Sequence, residues 1–353
     1  MLPADEPPFW DAERDDTLVC RQVRAETHDV KTFIFAASAP RLFRYKPGQF
    51  MTFEFAIDGE RIDRCFTLAS TPTRPHLVSI TVKRQPDGVV TPWLHATMRP
   101  GTAVRVAGPM GDFSCADHPA ESYLFLSGGS GITPLMSMAR SHDDLASERD
   151  TVFVHNARSP ADIIFRSELA LMAEHRPGFR FVPVCEADSP GEKWAGLRGR
   201  LSLPMLQLIA PDFLERAIFC CGPAPYMAAV RAMLAEAGFD MARYFEESFD
   251  FSRLGGAAPA AASTAAEGFT VEFARSKRRV TCDAETFILT AAQAAGLRLP
   301  SSCTRGLCGT CKSKLLAGTV DMQHAGGIRQ REIDQGLILI CCSRPRSDLV
   351  IDR

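Results

Sequence analysis

Apolar and polar positions alternate with a period of two through the first third of the chain. Runs at 18–24, 31–36, 49–57, 65–69, 77–83 and 103–106 each have a strand-like pattern, and Pro47-Gly48, Asp58-Gly59, Pro72, Pro86-Asp-Gly88 and Pro100-Gly101 part them. Several short strands at this spacing predict an antiparallel barrel or sandwich. One helix, 91–98, is expected among them, with Pro92 in its first turn, where a missing N–H costs little.

After about Pro119 the rhythm changes. A strand at 122–126 leads into Gly128-Gly-Ser-Gly131 and a helix from Thr133. Strands at 151–155, 180–185 and 217–220 then alternate with helices at 161–174, 203–209 and 224–237. Such alternation predicts a parallel sheet with helices on both faces. Residues 255–266 are drawn only from Gly, Ala, Pro, Ser and Thr; they can bury little and are expected to act as a tether spanning roughly 20 Å as a coil. Strands at 270–273 and 279–282 and a helix near 289–295 open a last unit, and no internal repeat is found. The expected division is an N-terminal arm (1–15), a barrel (16–118), an α/β unit (119–250), a linker (251–266) and a C-terminal unit (267–353).

Composition changes this picture little. The chain has 353 residues, 46% hydrophobic and 23% charged, enough for two or three cores. It has no run of 18 apolar residues, so no membrane span is expected. The acidic, Pro-containing start lacks the basic and apolar regions of a secretory signal. Twelve cysteines without a paired framework suit a reducing cytoplasm. A net charge of −2 argues against a general attraction to nucleic acid. The charge is uneven. Residues 267–353 carry 13 Lys+Arg and 9 Asp+Glu, against 27 and 33 in the remainder. This is either ordinary surface variation or a basic face for an acidic partner.

Chemistry is densest near the end. Cys303, Cys308 and Cys311 have the spacing C-x4-C-x2-C, and a fourth Cys stands far downstream, at Cys341 or Cys342. Structural zinc takes its ligands in close pairs. One loop of three thiolates plus a distant fourth is the arrangement of a plant-type [2Fe–2S] site. Gly306 and Gly309 would let backbone N–H groups approach the sulfurs. The segment Pro300-Ser-Ser-Cys-Thr-Arg-Gly-Leu-Cys-Gly-Thr-Cys311, with Cys341-Cys-Ser-Arg-Pro345, resembles the cluster loop and last ligand segment of plant-type ferredoxins. In that family the last ligand stands four residues before a proline, which implies Cys341 and leaves Cys342, on the opposite face of an expected strand, to the core.

Two stretches of the barrel carry further candidates. In Arg64-Cys-Phe-Thr67, an Arg and a hydroxyl on a strand suit a phosphate and a flavin ring, although Arg on a strand is more often plain surface. In the stretch from Val82 to His95, a glycine and a helix start suit an anionic phosphate, or form an ordinary turn. In the α/β unit, Gly128-Gly-Ser-Gly-Ile-Thr-Pro134 follows a strand and opens a helix. Its glycines let amides surround a pyrophosphate, with Thr133 as N-cap and Pro134 at N1. Cys221-Gly-Pro223 stands at the ligand edge expected of such a sheet. Arg158 and Asp162, after the second strand, are candidate ribose contacts: an Arg suits a 2′-phosphate and an Asp a 2′-OH. NADH and NADPH both stay open, with NADH favoured because no further basic residue clusters there.

These motifs resemble those of the ferredoxin–NADP reductase superfamily. The resemblance implies an FAD site formed by Arg64, Phe66, Thr67, Val82, Gly88, Val90, Thr91 and Phe249. It implies a nicotinamide site at Gly128, Gly129, Gly131, Thr133, Pro134, Arg158, Asp162, Gly222 and Pro223, with Cys221 and Glu247 beside the reacting rings. Phe66 stands where that family has Tyr, so ring stacking is kept and a phenol hydrogen bond is lost. The implied fold is multidomain: an antiparallel β-barrel for the flavin, an α/β parallel-sheet nicotinamide domain, and an α+β (β-grasp) [2Fe–2S] ferredoxin domain. The order of sites makes a two-to-one-electron transformer, from NAD(P)H through FAD to the cluster and on to a separate protein. The chain resembles reductase components of Rieske-type oxygenases, in particular those that N-demethylate glycine betaine and related quaternary amines. Reductases of hybrid-cluster proteins or of other hydroxylases are the alternatives, and a redox sensor is the alternative of another class.

Overall fold

The computed structural model describes residues 6–11, 14–249, 268–297, 299, 304, 306, 309 and 311–353. The tether expected at 255–266 lies outside the described residues.

Alternating apolar positions close the first sheet on itself. Its strands are β1 (Thr17–Thr27), β2 (Val30–Ala37), β3 (Phe50–Ile57), β4 (Glu60–Thr67) and β5 (Val78–Lys83), then, after helix α1 (Val90–Thr97), β6 (Ala103–Met110). The order is β4-β3-β6-β1-β2-β5 with every pairing antiparallel. Leu68 bridges Ile80, and the Ala69 N–H donates to Ser79 O at 2.8 Å, which joins the two outer strands into a barrel. Inward positions of facing strands, Phe33, Phe35, Phe53 and Phe55, fill it. Leu94 of α1 plugs the interior and is fully buried. The helix starts one residue earlier than expected, and Pro92 still falls in its first turn. Of the expected arm, Phe9 bridges Leu42, and Trp10 packs on Phe43 with ring centroids 5.4 Å apart.

The second sheet is wholly parallel. Its elements are β7 (Ser122–Gly128), α2 (Ile132–Asp144), β8 (Asp150–Ala157), α3 (Arg166–His175), β9 (Phe179–Cys185), β10 (Leu197–Arg198), α4 (Leu203–Ile209), β11 (Ala217–Cys221), α5 (Ala224–Glu236) and β12 (Tyr244–Glu247), in the strand order β10-β9-β8-β7-β11-β12. Covered on both faces, β7 is a nearly unbroken buried run, as a central parallel strand must be. Leu135 and Leu169 of α2 and α3 pack on Phe125 and Phe153. Leu206 and Leu234 of α4 and α5 pack on Leu124 and Val152 on the other face. The helix expected from 161 starts only at Arg166: Phe165 turns left-handed (φ 57) and seats its ring under the Arg140 guanidinium at 4.7 Å. The edge strand β12 was not expected from the pattern.

The third sheet is mixed. β13 (Phe269–Phe273) and β14 (Arg278–Cys282) precede α6 (Ile288–Ala294). Then follow β15 (Lys312–Ala317), β16 (Val320–Met322), α7 (Gln330–Asp334), β17 (Leu337–Leu339), β18 (Ser343–Pro345) and β19 (Leu349–Asp352). The order is β14-β13-β19-β15-β17, with β13 parallel to β19 at its centre and β16 paired with β18 apart. Ile288, Leu289 and Ala292 of α6 pack on Val271, Phe273 and Ile351. The fold class expected from the sequence is therefore the one observed. No helix among the described residues is long and apolar enough to cross a membrane.

Candidate functional site

The strand order of the parallel sheet locates the first part of the site. The chain leaves β7 for β8 and β9 on one side and returns through β11 and β12 on the other, which opens a crevice at the carboxyl ends of β7 and β11. Gly128, Gly129 and Gly131 wrap that end. A Cβ on Gly131 would lie 2.2 Å from Cys221 O, so only glycine lets α2 start beside β11. Thr133 is not the N-cap and Pro134 is not at N1. A short 3₁₀ turn, Gly129–Gly131, runs straight into α2, Gly131 takes the cap position, and the Thr133 hydroxyl donates to Ser130 O at 3.2 Å. Gly222 and Pro223 precede α5, and a Cβ on Gly222 would meet the Tyr226 ring at 2.8 Å.

Two residues missed in the sequence line the same crevice. Asn156 donates through Nδ2 to Ser127 O at 3.1 Å and to the Tyr226 hydroxyl at 2.8 Å, and its Oδ1 is a buried acceptor with no partner among the described residues. The signal was present: each stands at the end of a strand or in the first turn of the helix beyond it.

Cys221 sits in register with Ser127 of β7 and Glu247 of β12, so the three form one row across the sheet. Burial pushes the Cys221 thiol well up, and the Glu247 charge adds to this. It is a neutral thiol, not a nucleophile. Burial also raises the Glu247 carboxyl, to about 8, although the Thr67 hydroxyl donates to it at 3.5 Å and partly offsets this. Thr67 belongs to the barrel, so this bond joins the two sheets. Phe249, two residues on, is partly buried against the same core.

Within the barrel, Arg64 is exposed, donates to Asp63 O at 2.9 Å, and has no ion pair among the described residues. It is an uncommitted cation on a strand that ends at Thr67. The Phe66 ring meets Phe53 and Phe55 edge-on at 5.9 and 6.3 Å. Val82 is core. The Gly88 amide closes a turn onto Gln85 O, and the Thr91 hydroxyl accepts from the Gln85 N–H at 2.9 Å. Val90 is the first residue of α1, whose start no side chain among the described residues caps. Its outward amides suit an anion.

Arg158 and Asp162 are 3.5 Å apart, and Arg158 also lies 3.6 Å from Asp29 in the β1–β2 turn of the barrel. Lys83 and His28 approach the same Asp29 at 3.2 and 3.8 Å. Thus Arg158, the residue suited to a 2′-phosphate, faces two carboxylates.

Of the expected iron ligands, Cys303 and Cys308 lie outside the described residues. Cys311 and Cys341 are both buried. Cys341 is not on a strand. Residues 340–342 form the turn between β17 and β18, closed by the Cys342 N–H on Leu339 O at 3.1 Å. Strand alternation therefore does not apply; Cys342 is buried in the core, and a Cβ on Gly306 would lie 2.7 Å from its sulfur. Gly306 and Gly309 adopt positive φ (71 and 76). Gly306 O accepts from the amides of Ala325 and Gly327 at 3.1 and 2.9 Å. Two buried thiols beside a glycine-lined loop fit a thiolate-held cluster.

The three sheets meet at one end of the barrel. Phe50 of β3 pairs with Thr67 on one side and with Met110 on the other. A Cβ on Gly326 would lie 3.9 Å from the Met110 sulfur. A continuous row thus runs from Glu247 through Thr67, Phe50 and Met110 to the 325–327 segment that supports Gly306.

Comparison with known proteins gives matching results. Residues 18–115 match the oxidoreductase FAD-binding domain, 125–232 the oxidoreductase NAD-binding domain, and 271–346 the 2Fe-2S iron-sulfur cluster binding domain. The chain is 48% identical over 343 residues to the glycine betaine monooxygenase reductase subunit of Pseudomonas aeruginosa, covering 94% of each. It is 42% identical over 346 residues to the stachydrine N-demethylase reductase subunit of Rhizobium meliloti, covering 96% of each. Among solved structures, phthalate dioxygenase reductase, described as a modular structure for electron transfer from pyridine nucleotides to [2Fe–2S], matches with a TM-score of 0.59. That match is 26% identical and covers 98% of this chain and 100% of the other.

Gly306→Ala is expected to displace the Cys342 sulfur and the backbone at His324, which a new Cβ would approach to 2.7 and 2.9 Å. With about 1–2 kcal/mol of backbone strain added, bound iron per chain should fall well below the native value, as an iron assay on purified protein would read.

Proposed function

The chain belongs to the family of oxygenase reductase subunits that join an FAD-binding, an NAD-binding and a [2Fe–2S] domain, and from that premise we propose that its acceptor is a Rieske-type oxygenase that N-demethylates glycine betaine or a related quaternary amine. It is an oxidoreductase that moves electrons from NAD(P)H through FAD and [2Fe–2S]. Two full-length relatives, with names that specify betaine and stachydrine, support the choice of acceptor. When bound, the nicotinamide supplies a hydride, FAD parts its two electrons, and the cluster passes them singly.

The protein's own residues position and shield. Gly128, Gly129 and Gly131 leave room for a pyrophosphate at the start of α2. Gly222, Pro223, Asn156 and Tyr226 shape the wall beside it. Cys221 and Glu247 bound the place where nicotinamide and flavin would face each other, and Phe249 covers it. Arg64 and the uncapped start of α1, near Gly88, Val90 and Thr91, hold the flavin's phosphates, with Phe66 and Thr67 at its ring. Cys303, Cys308, Cys311 and Cys341 hold the irons. NADH is the preferred donor, because Asp29 and Asp162 already engage Arg158 and would repel a 2′-phosphate. Thiolates reserved for iron suit a cytoplasmic location.

The observation that supports this reading is the row from Glu247 to Gly306, along which hydride donor, flavin and cluster would follow one another. Stopped-flow mixing with NADH should bleach flavin absorbance first and cluster absorbance second, with NADPH slower. Adding a glycine betaine oxygenase should then reoxidise the cluster. A cluster that stays oxidised while the flavin bleaches contradicts the order. Cys341→Ser should abolish the normal cluster spectrum and Cys342→Ser should keep it; equal loss in both would reassign the ligand. Glu247 is neutral at pH 7 and ionises near pH 8. A carboxylate beside a ring that becomes cationic favours hydride loss. The rate of flavin reduction should therefore rise through about pH 8, and Glu247→Gln should remove that step.

A further inference from the structure

The C-terminal unit meets the barrel through a small group of charged side chains. Arg329, at the start of α7, has a side chain only 8% exposed. Its Nη1 donates to Asp16 Oδ2 at 2.9 Å, and its Nη2 donates to Val106 O on β6. Arg331 reaches the same Asp16 oxygen at 2.5 Å, and Arg105 of the barrel donates to it at 2.9 Å. Asp16 thus gathers three guanidinium groups, two of them from the other unit. Alongside, Glu332 accepts from Lys312 at 2.8 Å and lies 3.7 Å from Arg61 of β4. A small polar cavity lies at this seam, lined in part by Glu54, Arg61, Arg105, Arg329 and Glu332.

Two features single this contact out. First, it adjoins the segment that supports the expected cluster loop: Arg329 follows two residues after Gly327, whose amide donates to Gly306 O. Whatever seats Arg329 on the barrel also seats that loop against Met110 at the Phe50–Thr67 edge. Second, it is polar. Buried apolar interfaces hold permanently, whereas charge pairs fix register and orientation and weaken with salt.

We infer that Asp16, Arg329 and Arg331 form a latch that positions the cluster-bearing unit against the flavin edge of the barrel, and that this latch governs electron passage from flavin to cluster without governing hydride transfer. The inference rests on the reading that the barrel carries FAD and the C-terminal loop the cluster. The step concerned moves one electron out of reduced flavin and into the cluster, with no bond made or broken at the latch. Two such steps discharge one hydride. Asp16, Arg329 and Arg331 are positioning residues.

The test uses full-length protein loaded with FAD and cluster, with both contents measured first. In Asp16→Asn and Arg331→Ala, flavin reduction by NADH should keep its native rate. Cluster reduction should slow, on the order of tenfold for Asp16→Asn, as expected when one partner of a desolvated charge pair is lost. Small-angle scattering should show a larger radius of gyration. Raising KCl from about 0.05 to about 0.5 M should slow cluster reduction in the native chain more than in Asp16→Asn. If Asp16→Asn fails to load its cofactors, Arg331→Ala decides, since that side chain is 37% exposed. Native cluster-reduction rates and native dimensions in a loaded variant overturn the latch. Failure of the native chain itself to bind flavin or iron overturns the underlying reading instead.

Discussion

The register of β3 is the constraint on which the rest of the arrangement depends. Phe50 stands opposite Thr67 on one neighbouring strand and Met110 on the other. That single position ties together three surfaces from distant parts of the chain. Thr67 faces Glu247 of the parallel sheet, and Met110 faces Gly326 of the C-terminal unit. Because side chains alternate along a strand, a slip of one residue in β3 would turn its own core side chains to the other face and move Thr67 and Met110 out of line. The register is held by the aromatic core that alternates with it, where Phe53 and Phe55 point inward. The packing of the barrel and the alignment of the site therefore have the same cause.

Around that edge the two junctions differ in kind. The parallel sheet meets the barrel through buried contacts: Gly48 lies so close to α2 that a Cβ would be 2.8 Å from Met138 Cε, and Ser137 of α2 donates to Ser70 O at 2.6 Å. Arg140, nearly buried, reaches across to Ala69 O. Hydride transfer needs two rings in contact at fixed geometry, and a rigid junction suits it. The C-terminal unit is joined by guanidinium and carboxylate groups instead. Single electrons tolerate looser geometry, and a cluster must also serve an external acceptor. The contrast between the junctions follows from the contrast between the transfers.

Much of this was legible in the sequence where one physical rule dominates a short stretch. Glycine runs at Gly128–Gly131, strands punctuated by Pro and Gly, and thiols at C-x4-C-x2-C each have a local cause. The misreadings arose where a longer-range contact decides. Thr133 looks like a cap, yet the 3₁₀ turn before it moves the helix start to Gly131 because β11 lies alongside. Helix α3 starts late because Phe165 is drawn under Arg140. Cys341 stands in an apolar run that looks like a strand, but the turn closed on Leu339 O interrupts it. Asp16 and Arg329 are 313 residues apart, and no periodicity links them.

The uneven charge of the chain acquires a physical sense from the seam. The net positive charge of residues 267–353 is not all a face offered to an acidic partner: Arg329 and Arg331 are turned inward, onto Asp16. Burial opposes ionisation of Asp16, yet Arg105 and Arg329 still bring its carboxyl down to about 2, so it stays charged throughout the physiological range. Arg331, like Arg105, remains partly exposed, which leaves two cations of the group within reach of solvent. An acidic acceptor that engaged Arg331 would draw on the same attraction that seats the C-terminal unit on the barrel. Internal docking and external delivery would then compete for one set of charges, and neither contact needs to be strong for the two to alternate.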